Sequence, residues 1–187
     1  MYSTSDFRKG LRIEWEGKPY EIVDFLHVKP GKGGAFVRTK LRNMLTGGVV
    51  DQNFRSGERV GRPDLQEREM QFLYKDEENN YHMMDNETYE QPFLTAGQLG
   101  ETRDFFHDGI VVKVLYYKDQ PIGVDLPTFV ALIVTNTEPG LRGDTASGGS
   151  KPATLESGAI IQVPLFINIG DKVRVDTRSH SYIERVK

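Results

Sequence analysis

The residues best suited to chemistry in this chain are a lysine and its small neighbours, Lys29-Pro30-Gly31-Lys32-Gly33-Gly34. A lysine ammonium is a compact point charge with three donors on a flexible stem, the equipment for meeting phosphate. From Phe25 through Val50 there is no Asp or Glu, while Lys29, Lys32, Arg38, Lys40 and Arg42 all fall inside that window. Nothing close in sequence neutralises the cations, which is the polarity of a surface that faces a polyanion. The same six residues also compose an ordinary solvated hairpin turn, since turn chemistry accounts for each of them and leaves only the missing acids over.

Other chemistry is thin. The histidines His27, His82, His107 and His180 lie far apart and without metal-ligand spacing. There is no Gly-x-Ser-x-Gly nucleophile motif, and with no cysteine there is no thiol nucleophile, thiolate ligand or disulfide. The glycine-rich stretch near residue 148 fails as a phosphate loop because Gly149 stands where that motif requires lysine. Glu77-Glu78 reads as solvated turn charge. No enzyme class, catalytic residue, metal or cofactor is indicated.

The elements that must position Lys32 follow from alternation and turn residues. Leu11 to Trp15 alternates as a half-buried strand, Pro19 to Lys29 forms a long second strand, and Ala35 to Arg42 a third on which Arg38, Lys40 and Arg42 share a face. Pro30 fixes its own backbone angle, and Gly31, Gly33 and Gly34 permit positive φ, so Lys32 is predicted to stand alone at a hairpin tip. Thr46-Gly47-Gly48 and Ser56-Gly57-Glu58 turn the chain again, and the set reads as a small SH3-like barrel.

Beyond Arg62-Pro63-Asp64, strands around Met70–Tyr74, Tyr81–Met84 and Ile110–Tyr117, with a short helix over Thr95–Phe106, suit an OB-like barrel. After Ile122–Pro127, Phe129–Val134 is predicted as a buried strand and 138–158 as a long aperiodic loop. Ala159–Val163, Phe166–Ile169, Lys172–Val175 and Tyr182–Val186 then supply the strands of a second OB-like barrel. The expected fold is all-β: three small barrels over 1–64, 65–127 and 128–187.

Charge supports this partition. Residues 1–64 hold twelve Lys/Arg against eight Asp/Glu, 65–127 five against thirteen, and 128–187 seven against six. A basic first module and an acidic middle imply an oriented encounter with a polyanion. Ala159–Gly170, the longest apolar stretch, is interrupted by Pro164 and shorter than the roughly 20 residues of a spanning helix. No membrane partner is expected. The opening residues carry no apolar run of signal-peptide type, and a soluble cytoplasmic protein is anticipated.

Six collinear motifs then converge. They are Lys29-Pro30-Gly31-Lys32-Gly33 with Ala35-Phe36, Lys40-Leu41-Arg42-Asn43, Met84 to Gln91, Pro139 to Ala146, Gly149 to Thr154, and Val175-Asp176-Thr177-Arg178. Together they resemble the bacterial translation elongation factor P family over the whole chain. That resemblance implies an elongated, L-shaped, tRNA-like monomer that is not itself an enzyme. It implies binding to the 70S ribosome between the peptidyl-tRNA and exit sites, and relief of stalling at consecutive prolines. Lys32 would reach the CCA end of the peptidyl-tRNA and serve as the target of lysine-modifying enzymes, with Lys29, Pro30, Gly31, Gly33 and Gly34 forming its loop; Gly34 stands where some members carry a larger residue. Arg38, Lys40 and Arg42 would grip phosphates of the tRNA acceptor stem or rRNA. Gly143, Asp144, Thr145, Gly148, Gly149, Ser150 and Lys151 would approach the exit-site codon, with Lys151 and backbone N–H groups making the contacts, and Tyr182 and Arg185 would touch RNA or the small subunit. A reading from another class is a generic single-stranded nucleic-acid binder, which needs an exposed aromatic and cationic groove on the second or third barrel.

Overall fold

A computed structural model describes residues 1–140 and 148–187. The fold is nearly all β and organised in barrel-like sheets. In the first, β1 (Tyr2–Ser3) is followed by β2 (Arg12–Trp15), β3 (Lys18–Val28), β4 (Phe36–Asn43), β5 (Val49–Arg55) and β6 (Arg59–Val60). β2 to β5 form an antiparallel meander, and β1 pairs with β6 across it. Alternation drives this arrangement: Ile13, Ile22, Val37, Leu41 and Phe54 all point inward and are fully buried. Phe7 and Trp15 meet the Phe54 ring edge-on, at 5.5 and 6.0 Å.

The central sheet contains β7 (Gln66–Lys75), β8 (Asn80–Met84), β9 (Phe93–Thr95), β10 (Val111–Tyr117) and β11 (Gln120–Asp125), in the order β11-β10-β7-β8-β9. The helix expected over Thr95–Phe106 is a single α-turn, α1 (Ala96–Leu99), followed by a 3₁₀ stretch over Gly100–Phe105. Gly100, at φ +58°, ψ −137°, breaks it, a conformation available to glycine and strained for other residues.

The third sheet holds β12 (Phe129–Thr137), β13 (Ser150–Leu155), β14 (Ile160–Pro164), β15 (Lys172–Asp176) and β16 (Ser181–Val186), ordered β14-β13-β12-β15-β16. Three expectations change here. The tail of the predicted loop 138–158 is strand β13, whose buried Lys151, Ala153 and Leu155 alternate with Pro152 and Thr154. Phe166–Ile169 is a turn: only Ile167 is buried, while Phe166 and Ile169 stand in solvent. β12 is buried on one face alone, because Val130, Leu132 and Val134 face the core and Phe129 and Ile133 face outward.

The sheets join in two different ways. Buried side chains of the second and third form one continuous apolar cluster running from Met70 to Val175, reinforced by the Phe105 and His180 rings at 4.8 Å. The first keeps its own core and meets the second through a small separate cluster of Met44, Leu115, Tyr117 and Ile122.

Candidate functional site

β3 and β4 pair from Tyr20–Asn43 out to Val28–Phe36, and the seven residues between are the loop that carries Lys32. Lys29 through Gly34 are all exposed. Gly33 is the glycine of the three that uses its freedom, at φ +109°; no atom lies within 4 Å of where a Cβ would sit on Gly31 or Gly34. The loop is rooted by the Ser56 N–H, which donates to the Ala35 carbonyl at 3.0 Å. The result is a lysine on a narrow ribbon, with no salt bridge or hydrogen bond from its ammonium to any described residue.

Behind the tip, the expected cationic stripe divides. Arg38 and Lys40 are exposed on the β4 face. Register brings acids to Lys40 alone, which lies opposite Asp24 on β3 and Asp51 on β5, while Arg38 lies opposite Leu26 and Asn53. These side chains line a shallow depression of about 730 Å³.

Arg42 departs from the expectation of a phosphate contact. It is 8% exposed, ion-paired with Glu21 directly across the ladder, and its Nε has no partner. Its guanidinium lies where a side chain at residue 100 would begin: a Cβ on Gly100 would come within 1.4 Å of Arg42 Nη1. Arg42 is therefore part of the joint between the first and second sheets.

Gln98 completes that joint, and the sequence reading did not single it out. Its Nε2 donates to the carbonyls of Leu45 at 3.2 Å and of Met44 and Pro121 at 3.4 Å, while its Oε1 accepts from Thr95 N–H at 3.0 Å. The available signal was Thr95-x-x-Gln98, a capping box that fixes the one α-turn. Alongside it, Gly47 and Gly97 pack so closely that a Cβ on Gly47 would lie 2.7 Å from the Gly97 carbonyl carbon. Arg12 spans the same boundary to Asp125, its Nη1 donating at 3.1 Å. Burial opposes the Arg12 charge, but the hydrogen bond and charge of Asp125 outweigh it and raise the guanidinium above its ordinary pKa.

In the third sheet, Gly148, Gly149, Ser150 and Tyr182 share one cleft of about 520 Å³, together with Gln162 and His180. Ser150 Oγ lies 3.1 Å from Gln162 Oε1. Lys151 does not belong to this surface: it is 6% exposed and its Nζ donates inward to the Glu138 carbonyl, which corrects the expectation that it meets RNA. Its position on the inward face of β13 is the reason. Arg185 lies outside the cleft, 3.8 Å from Asp171 and over the Phe166 ring. Gly143, Asp144 and Thr145 lie outside the described residues.

Several of the collinear motifs prove to be turn chemistry. Asp85 accepts from the Glu87 and Thr88 N–H groups at 2.8 and 3.1 Å, and these bonds hold its carboxyl below its ordinary range. Asp176 is lowered likewise, first by the side chain and then by the backbone N–H of Arg178. At Gly140 a Cβ would approach the Leu165 carbonyl oxygen to 2.6 Å, so only glycine fits. Among the described residues, no group of three or more His, Asp or Glu is arranged to hold a metal ion.

Each of the three sheets coincides with one family model, a KOW-like domain followed by an OB domain and a C-terminal domain. Residues 3–60 match the elongation factor P KOW-like domain, 65–124 the elongation factor P OB domain, and 130–185 the elongation factor P C-terminal domain. Elongation factor P of Pelotomaculum thermopropionicum is 54% identical over 186 residues, and that of Maridesulfovibrio salexigens 57% identical over 187, each spanning 100% of both chains. Elongation factor P of Caldanaerobacter subterraneus is 53% identical over 186 residues, again across 100% of both. The chain belongs to the elongation factor P family and is a translation elongation factor.

Proposed function

We propose that this factor binds the 70S ribosome between the peptidyl-tRNA and exit sites and stimulates peptide-bond formation where consecutive prolines stall it. The observation that carries this reading is the exposed Lys32 at the end of the β3–β4 ribbon, in a chain of this family. Proline is a poor reactant because its ring restricts attack geometry, so the useful help is positional. Holding the CCA end near attack geometry lowers the entropic part of the barrier, and effective molarity from such alignment can be worth several kcal/mol. A slender glycine loop enters an RNA-walled cavity that a bulky turn could not. The factor itself is not an enzyme; the chemistry belongs to the ribosome.

In this reading the modules 1–64, 65–127 and 128–187 form an elongated, L-shaped monomer that acts in the cytoplasm. Arg38 and Lys40 contact phosphates of the tRNA acceptor stem or rRNA without reading sequence. The cleft of Gly148, Gly149, Ser150 and Tyr182 lies toward the exit-site RNA, and Lys32 is the substrate of lysine-modifying enzymes.

The test is ribosome co-sedimentation together with translation of a reporter containing three successive prolines. Lys32→Ala is expected to retain its fold and lose most of the stimulation. Equal rescue by wild type and variant rejects the proposal. Intact mass of the native protein reports the modification.

A further inference from the structure

The outer face of the central sheet carries an arrangement that neither the tip nor the joint uses. Tyr74 on β7, His82 on β8 and Phe93 on β9 lie opposite one another across three adjacent strands. The Tyr74 and His82 rings stack at 4.5 Å with 9° between their planes, and His82 and Phe93 follow at 5.6 Å and 35°. A register shift between Phe72 and Tyr74 creates the row: Phe72 stays in the core opposite Met83, and Tyr74 is turned outward. Tyr74 is 52% exposed and Phe93 51%, a large aromatic surface left in water.

The row is held rigid from below. His82 Nε2 is 2.7 Å from Asp76 Oδ2, and the Asp76 carboxylate also accepts from the Glu78 and Asn80 N–H groups and from Asn80 Nδ2. Little side-chain freedom is left to lose on binding at the central ring. The charge beside it is acidic: the β7–β8 turn carries Asp76, Glu77 and Glu78 next to the single Lys75 at the end of β7, within a module of five Lys/Arg and thirteen Asp/Glu.

Aromatic faces attract guanidinium and ammonium groups through their quadrupole, and surrounding carboxylates draw such cations in from a distance. Stacked nucleobases also favour aromatic rows, but their phosphates need a cationic groove, and this face is its opposite. We infer that the Tyr74–His82–Phe93 row docks a cationic segment of a partner protein, with arginine or lysine side chains laid over Tyr74 and Phe93 and steered by Glu77 and Glu78.

The experiment is an NMR titration of the full-length chain with an Arg-Gly-Gly repeat peptide, its citrulline counterpart and oligothymidylate. Shifts confined to Tyr74–Met84 and Phe93, produced by the arginine peptide alone, are expected. Tyr74→Ala with Phe93→Ala should weaken that binding about tenfold, each ring contributing a few-fold. Glu77→Gln with Glu78→Gln should flatten its salt dependence. The inference fails if the peptide leaves the row unshifted or binds the aromatic double variant equally. It also fails if oligothymidylate is what moves the row, or if the shifts scale with protein concentration without peptide, which would identify a second copy as the occupant.

Discussion

Lys32 and Arg42 ride the same β-ribbon ten residues apart, and their surroundings could hardly differ more. At the distal end the lysine is exposed and makes no salt bridge or hydrogen bond to a described residue; at the proximal end the arginine is buried against Glu21 and seated on Gly100. One cation is kept free and the other is spent on fixing the ribbon to the central sheet. Removing the first should therefore cost function and little stability, and disturbing the second should cost stability first.

The comparison breaks most visibly at Gly100. Gly100→Ala places a Cβ on Arg42 Nη1 and imposes a strained backbone, and we expect a loss of about 2–4 kcal/mol by denaturant unfolding. In an Arg42→Ala background the same change should cost clearly less, because the clashing atom is gone; an unchanged cost would separate Gly100 from the joint. Arg42→Ala alone removes the ion pair of Glu21 at a largely buried site, leaving only Arg12 opposite it on β2, and should cost about 1–3 kcal/mol. Gln98→Ala should cost about 1–2 kcal/mol, since its longer bonds to Met44, Leu45 and Pro121 are individually modest. At the small end, Lys32→Ala should stay within about 0.5 kcal/mol of wild type.

A pH profile sharpens the picture in a region remote from both cations. Asp76 is lowered from 3.8 to about 2, first by the hydrogen bond with His82 and then by the Asn80 N–H. A depressed carboxyl stabilises the fold above its unfolded value and loses that contribution as pH falls through its folded value. Asp76→Asn should therefore flatten the acid limb of the stability curve between about pH 4 and 2. A curve superimposable on that of wild type in this window would mean that the His82 contact does not persist in solution.

Much of this was legible in the sequence, for identifiable reasons. The tip could be read because proline and glycine constrain backbone angles locally, and the three sheets because apolar alternation needs no partner to be recognised. Arg42 was misread because alternation assigns a face but not what covers it; β4 is open at Arg38 and Lys40 and closed at Arg42 by the turn around Gly100. Lys40 appeared unopposed because Asp24 and Asp51 become its neighbours only through strand register. Lys151 was taken for a loop residue since Pro152 and the nearby glycines masked the alternation of β13. Gln98 gave no sign of its three carbonyl partners, which come from two segments distant in sequence.

The unequal joining of the sheets bears on how the protein comes apart. Because the second and third share one apolar interior and the first is attached through a small apolar patch and the polar joint of Arg12, Arg42 and Gln98, heating should release residues 1–64 as a separate cooperative unit. Calorimetry would then record two transitions, the larger enthalpy belonging to residues 65–187.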